Sequence, residues 1–238
     1  MSGRIAIILL FTLLPASIRP YAEEISPTDD RNADWIPAGS VSREMERRAI
    51  ELQTRLQVRS PGIQREALLD IQRDLDLFTR KESRIATAPL VAELLDMDYS
   101  ILEMPVDYRV DGPTRLLALD VLSRIGGEEA WAQLRETLQY DSDGTIRAAA
   151  AQLLARNVTD QPQLDYEIAS RALRRVVRAR GEEAEVTRIL QAVRSMSERV
   201  WSPDVPALLE ALVLIHEGRY SSGLRNSAMS FLEELAER

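Results

Sequence analysis

The sequence predicts an all-α protein, a solenoid of about five helix pairs, and three observations predict it. Apolar residues return at spacings of three and four from Val41 to the end of the chain, with no alternating strand pattern. Stretches of about four helical turns are separated by short breaks rich in Gly, Pro and Asp. One segment is repeated at an offset of 32 residues. Composition agrees: 238 residues, 45% hydrophobic and 29% charged, are enough for a sizeable core or a stacked array.

Residues 1–22 read as a secretory signal, in which Arg4 is the basic start and residues 5–14 (IAIILLFTLL) are the apolar core. Ten apolar residues cannot span a bilayer, which takes about 20, so no stable membrane span is expected after cleavage. Ala22 is the expected last residue removed, with Ala16 as the alternative. The chain has no cysteine, which closes the lipoprotein route and excludes a disulfide framework. A periplasmic or secreted product with a net charge of −10, against −8 for the full chain, follows. Residues 23–41 hold two prolines, a glycine, five acids and one arginine and are expected to form a flexible acidic tether. Trp35-Ile36 within it is expected to dock on the chain's own body.

The body, residues 42–238, starts with a helix marked by Met45, Ala49, Leu52 and Leu56 that stops before Ser60-Pro61-Gly62. Ile63, Ala67, Ile71, Leu75 and Phe78 mark a second helix, with Ser60 as its cap and Pro61 in the first turn. A third is expected over 89–96 and a fourth over 114–125, ended by Gly126-Gly127. Further helices are expected over 128–139, 145–156, 163–180, 182–198, 203–216 and 222–237.

The repeat lies in the middle of the body. Asp111-Gly112-Pro113-Thr114-Arg115-Leu116-Leu117-Ala118 aligns with Asp143-Gly144-Thr145-Ile146-Arg147-Ala148-Ala149-Ala150, and the match runs on through Leu122 and Leu154. Fainter copies surround Arg65, Arg188 and Arg225. These residues resemble the HEAT-repeat families, especially the short HEAT-like repeats of phycobilisome lyases with their D-x-x-V-R-x-x-A-x-x-x-L core. The resemblance extends over 42–238, is most specific over 111–157, and departs from the pattern at Pro113-Thr114 and in the long unit 157–199. It implies a right-handed α-solenoid. It also implies that Arg115 and Arg147 are structural, each bonding the acidic turn residue of an adjoining repeat, with Asp111 and Asp143 as the partners.

Catalytic vocabulary is sparse. His216 is the single histidine; its pairing with Glu217 is one where the di-iron HEAT-repeat hydroxylases need several, and its place at a helix end predicts a capping role. Asp141-Ser142-Asp143-Gly144 starts like a calcium loop, but its glycine is fourth and Gln152 stands at the twelfth position. Glu128-Glu129 and Glu182-Glu183 sit at helix starts, where the dipole accounts for them. No Walker, nucleophile-elbow or dinucleotide fingerprint occurs. No catalytic, cofactor-binding or metal-binding residue is therefore assigned, and the chain is read as a binding module, not an enzyme.

Surface features are more informative. Lys81 is the only lysine, so 29 of the 30 basic residues are arginine. Arg171, Arg174, Arg175 and Arg178 fall within one arc of a helix whose other side carries Ile168, Ala172, Leu173, Val176 and Val177. This positive stripe is expected to pair with Glu167, Glu182 and Glu185, or else to take an acidic partner, a phospholipid head group or an anionic polymer. Trp131 and Trp201 are expected to pack between repeats. The negative net charge argues against nucleic acid. The function expected is a protein-binding or scaffold module of the periplasm or envelope, with a structural subunit of an envelope or appendage assembly, or a lyase-like enzyme on the same scaffold, as the alternatives.

Overall fold

A computed structural model describes residues 38–58, 60–79, 81–96, 110–200 and 206–237. The expected signal, most of the expected tether, and Trp35 and Trp201 lie outside them. Among the described residues there are eleven helices and no strand: α1 (Ala38–Gln57), α2 (Pro61–Arg73), α3 (Leu75–Phe78), α4 (Lys81–Asp96), α5 (Gly112–Ile125), α6 (Glu128–Tyr140), α7 (Gly144–Arg156), α8 (Pro162–Arg178), α9 (Glu183–Ser197), α10 (Pro206–Glu217) and α11 (Ser222–Ala236).

Among the described residues, three boundaries differ from expectation by more than two residues. α1 starts at Ala38, inside the stretch expected to be tether. The single helix expected over 63–78 is broken at Asp74, whose backbone (φ −98°, ψ 32°) leaves the helical path while its carboxylate accepts from Arg48 of α1 at 3.4 Å. α4 begins at Lys81 rather than 89 and carries Pro89 in its interior. Proline removes an N–H there and turns away the carbonyl four residues earlier. Ile85 and Pro89 both lie on the exposed face, where water can serve that carbonyl.

Side-chain caps are made by Asp111, Asp143 and Ser221 at the starts of α5, α7 and α11. Asp111 is extended (φ −65°, ψ 156°) and accepts from the Thr114 N–H at 2.8 Å, so it closes an orphan donor of α5. Asp111→Ala is expected to cost about 1 kcal/mol of stability. Hydrogen bonding from Thr114 also holds the Asp111 carboxyl below the usual aspartate value. A depressed folded-state pKa means that this contribution is complete above the unfolded value and is lost as pH falls through the lowered one. Urea unfolding across the acid range should show that loss in the parent chain and a smaller one in Asp111→Asn. At the other end of α5, Gly126 (φ 66°) and Gly127 (φ 93°) supply the left-handed turn that side-chain-bearing residues avoid.

Helix contacts follow a simple rule. α1, α4, α6, α8 and α10 each touch the next member of that series, and so do α2, α5, α7, α9 and α11. Rungs join the two rows as α1/α2, α4/α5, α6/α7, α8/α9 and α10/α11, while short α3 touches α1, α2, α4 and α5. The buried apolar side chains form one cluster that runs from Ala49 through Leu119, Leu134, Leu154, Leu173 and Leu190 to Phe231. Ala148, Ala150 and Ala151 are fully buried in α7, which packs on α6, α5 and α9. Small side chains there let three neighbours approach with little entropy lost. Trp131 is buried in the same cluster, beside the Gly126 turn.

Candidate functional site

The expected arginine stripe lies on α8, and its register follows from what the helix buries. Ile168, Ala172, Leu173, Val176 and Val177 all face the core, which forces Arg171, Arg175 and Arg178 to the surface and leaves Arg174 half-buried at the flank. The helix ends in a Schellman turn, with Gly181 N–H donating to Val176 O at 2.8 Å and Arg180 N–H to Val177 O at 3.0 Å. The left-handed position of that turn, usually glycine, is held by Arg180 at φ 56°. Among the described residues it is the only non-glycine with positive φ, a conformation that costs about 1–2 kcal/mol for an L-residue.

The stripe's acidic partner is not among those expected. Glu210 of α10 takes Arg178 Nε at 2.7 Å and Arg174 Nη1 at 3.5 Å. Arg175 donates to the Leu138 carbonyl at 3.3 Å. Glu185 is drawn to Arg147 instead, because α9 belongs to the other row. Arg171 has no acidic partner among the described residues. Exposed pairs of this kind contribute about 0–1 kcal/mol, so stability alone accounts poorly for four arginines on one face. Together with Gln139 and Tyr140 at the end of α6, Arg171, Arg174, Arg175 and Arg178 line an open groove. Tyr140 is 60% exposed. Arg178 also borders a second depression, which continues past Arg180 to Arg219 and Tyr220.

Asp111 and Asp143 are helix caps, not the arginine partners that the resemblance implies. Asp143 accepts from Thr145 N–H at 2.7 Å. Arg115 is buried and donates to Asp141, two residues earlier in the turn before α7. Arg147 holds two places at once: Nε meets Glu185 Oε1 at 2.7 Å, and Nη1 meets the carbonyls of Asp141 at 2.6 Å and Ser142 at 3.0 Å. The acid is thus in a neighbouring turn or helix, as the resemblance implies, but it is a different residue, because the capping role has already taken Asp111 and Asp143. Gly144 makes room for the second tie, since a Cβ there would lie 2.5 Å from Glu185 Oε2.

No family model, curated protein or solved structure matches this chain.

The repeat is therefore judged on its own geometry. Counting from the N-cap positions Ser60, Asp111, Asp143, Glu182 and Ser221, the fourth helical residue is Gln64, Arg115, Arg147, Val186 and Arg225. Gln64, not Arg65, is the counterpart of Arg115. It is buried and donates to the Leu56 carbonyl at 3.2 Å, while Arg65 is exposed. Arg188 is exposed and out of register, with buried Val186 at the equivalent place.

Sequence reasoning missed a further set of ties. Arg135 of α6 meets Asp165 of α8 at 2.5 Å, and Asp165 also accepts from the Thr159 hydroxyl. Arg194 of α9 meets Glu234 of α11 at 3.0 Å, with its guanidinium 5.8 Å from the Phe231 ring centre. Gln53 joins Thr87 at 2.9 Å, and Gln72 joins Asp120 at 2.7 Å. Ser221 N–H reaches Glu183 at 3.1 Å. These partners lie 30 to 48 residues apart, about the length of one helix pair. A search for donors and acids offset by one period carries that signal.

His216 is exposed in the last turn of α10. Among the described residues, no group of three His, Cys, Asp or Glu side chains is placed to hold a metal ion, and no helix is long and apolar enough to cross a membrane.

Proposed function

We propose that this chain is an exported HEAT-like repeat protein, a right-handed solenoid of five helix pairs that serves as a protein-binding or scaffold module in the periplasm or cell envelope. The observation that carries the reading is the packing rule: each of the ten longer helices touches the next member of its row, and side-chain ties about one pair long join successive members. Stacked units of this kind bury a continuous core and leave long outer faces for partners. The apolar run at 5–14 supports export, and the lack of cysteine is compatible with an oxidising compartment.

Purification of the tagged full-length chain from its native organism tests the reading. The expected result is a product in the envelope fraction that begins near Glu23 and elutes in a complex with a second protein at fixed stoichiometry. Elution only as an assembly of its own copies would replace the binding module with a structural subunit. Stoichiometric iron or zinc would replace it with an enzyme on the same scaffold.

A further inference from the structure

We propose that the arginine surface running from Arg171 through Arg178 to Arg180 and Arg219 is the docking site for an extended acidic peptide segment of a partner protein. This rests on the binding-module reading and assigns it a surface and a partner chemistry.

Four observations converge on it. Arg171, Arg180 and Arg219 are exposed and have no acidic partner among the described residues. Guanidinium groups pair with carboxylates in planar, bidentate fashion, and Glu210 shows a carboxylate already held by two members of the stripe. Arg178 borders both depressions, so arginines continue around the end of α8, with Glu183, tied to Ser221, as the one acid lining the second. Arg180 occupies the left-handed slot where glycine fits without strain, and it carries its charge to the edge of the second depression.

The spacing selects the form of the ligand. Arg171 and Arg175 are four residues apart, a helical rise of about 6 Å. Alternate residues of an extended peptide are separated by about 6.6 Å. Two acids in alternate positions of an extended segment therefore match the Arg171–Arg175 spacing, while Arg174 and Arg178 hold Glu210. Tyr140 and Tyr220 flank the two depressions and offer apolar ring surface to the residues between. Glu210 within the stripe and the acidic remainder of the chain oppose a dense polyanion, whose charge cannot be spaced to avoid them.

Fluorescence anisotropy with a labelled decapeptide of alternating Glu and Ser tests the assignment at physiological salt. Saturable binding is expected, and none to the matching Gln-Ser peptide. Arg171→Glu should weaken it about tenfold. Arg180→Gly should weaken it several-fold while its unfolding midpoint stays at or above that of the parent, because glycine relieves the turn. Arg188→Glu, an exposed change on α9, should leave binding unchanged. The proposal is overturned if Arg171→Glu and Arg180→Gly bind as the parent does, or if Arg188→Glu weakens binding equally. Preference for polyphosphate or for vesicles of anionic phospholipid over the peptide overturns it too. If the native partner is still captured by Arg171→Glu, this surface is excluded and the binding-module reading stands.

Discussion

Asp165→Ala is expected to lower the unfolding free energy by about 3–5 kcal/mol, because it leaves the Arg135 guanidinium buried beside an empty place. The two side chains are 8% and 2% exposed, and Asp165 also satisfies the Thr159 hydroxyl. Removing the acid costs more than the pair contributes, since a charge already taken out of water loses its buried counter-charge and keeps only the half-exposed Asp160 at 3.5 Å. The double replacement Arg135→Met with Asp165→Leu is expected to recover most of the loss, as apolar substitutes of buried pairs commonly do. Urea unfolding of the three chains checks both statements. A single variant within 1 kcal/mol of the parent would show that water reaches the pair.

Phe231→Ala is expected to cost about 3–5 kcal/mol at the α10/α11 end. Phe231 is fully buried on α11, beneath the Arg194 guanidinium that α9 extends to Glu234. α11 packs on α10 and α9. If stability is a sum of neighbour interfaces, the loss stays local. Hydrogen exchange should then quicken in α11 and α10 first, while α5 to α7 keep their protection. Uniform acceleration along the whole body would point to a single cooperative core instead.

These two sites mark the line between what could and could not be read from the residues. The helices followed from apolar spacing, and α8, which buries one side and carries arginines on the other, is the clearest case. Boundaries slipped where a residue's local preference was overruled by a tertiary partner. Asp74 leaves the α2 path while Arg48 holds its carboxylate, and Pro89 is tolerated mid-helix because its face is wet. The arginine stripe was visible as a pattern on α8, yet Glu210 was not, since its place depends on α8 and α10 being neighbours in one row. The buried Arg135–Asp165 pair was invisible for the same reason: each residue alone reads as an ordinary helix-surface charge. Arg115 and Arg147 were legible as structural, but their acids were misassigned because Asp111 and Asp143 serve as caps.

The ties that join helix to helix, and the surface proposed to take a partner, use guanidinium groups as their cations, while the chain's one lysine, Lys81, is exposed at the start of α4. Amine-directed chemistry is thereby separated from the machinery of the fold. Apart from the terminal amine, an acylating dye or label has one address, and attaching it disturbs none of the arginine contacts. Dicarbonyl reagents, which seek guanidinium groups, would strike the ties and the partner surface together. Labelling at Lys81 thus offers an attachment point on the body that leaves the arginine surface of α8 unmodified.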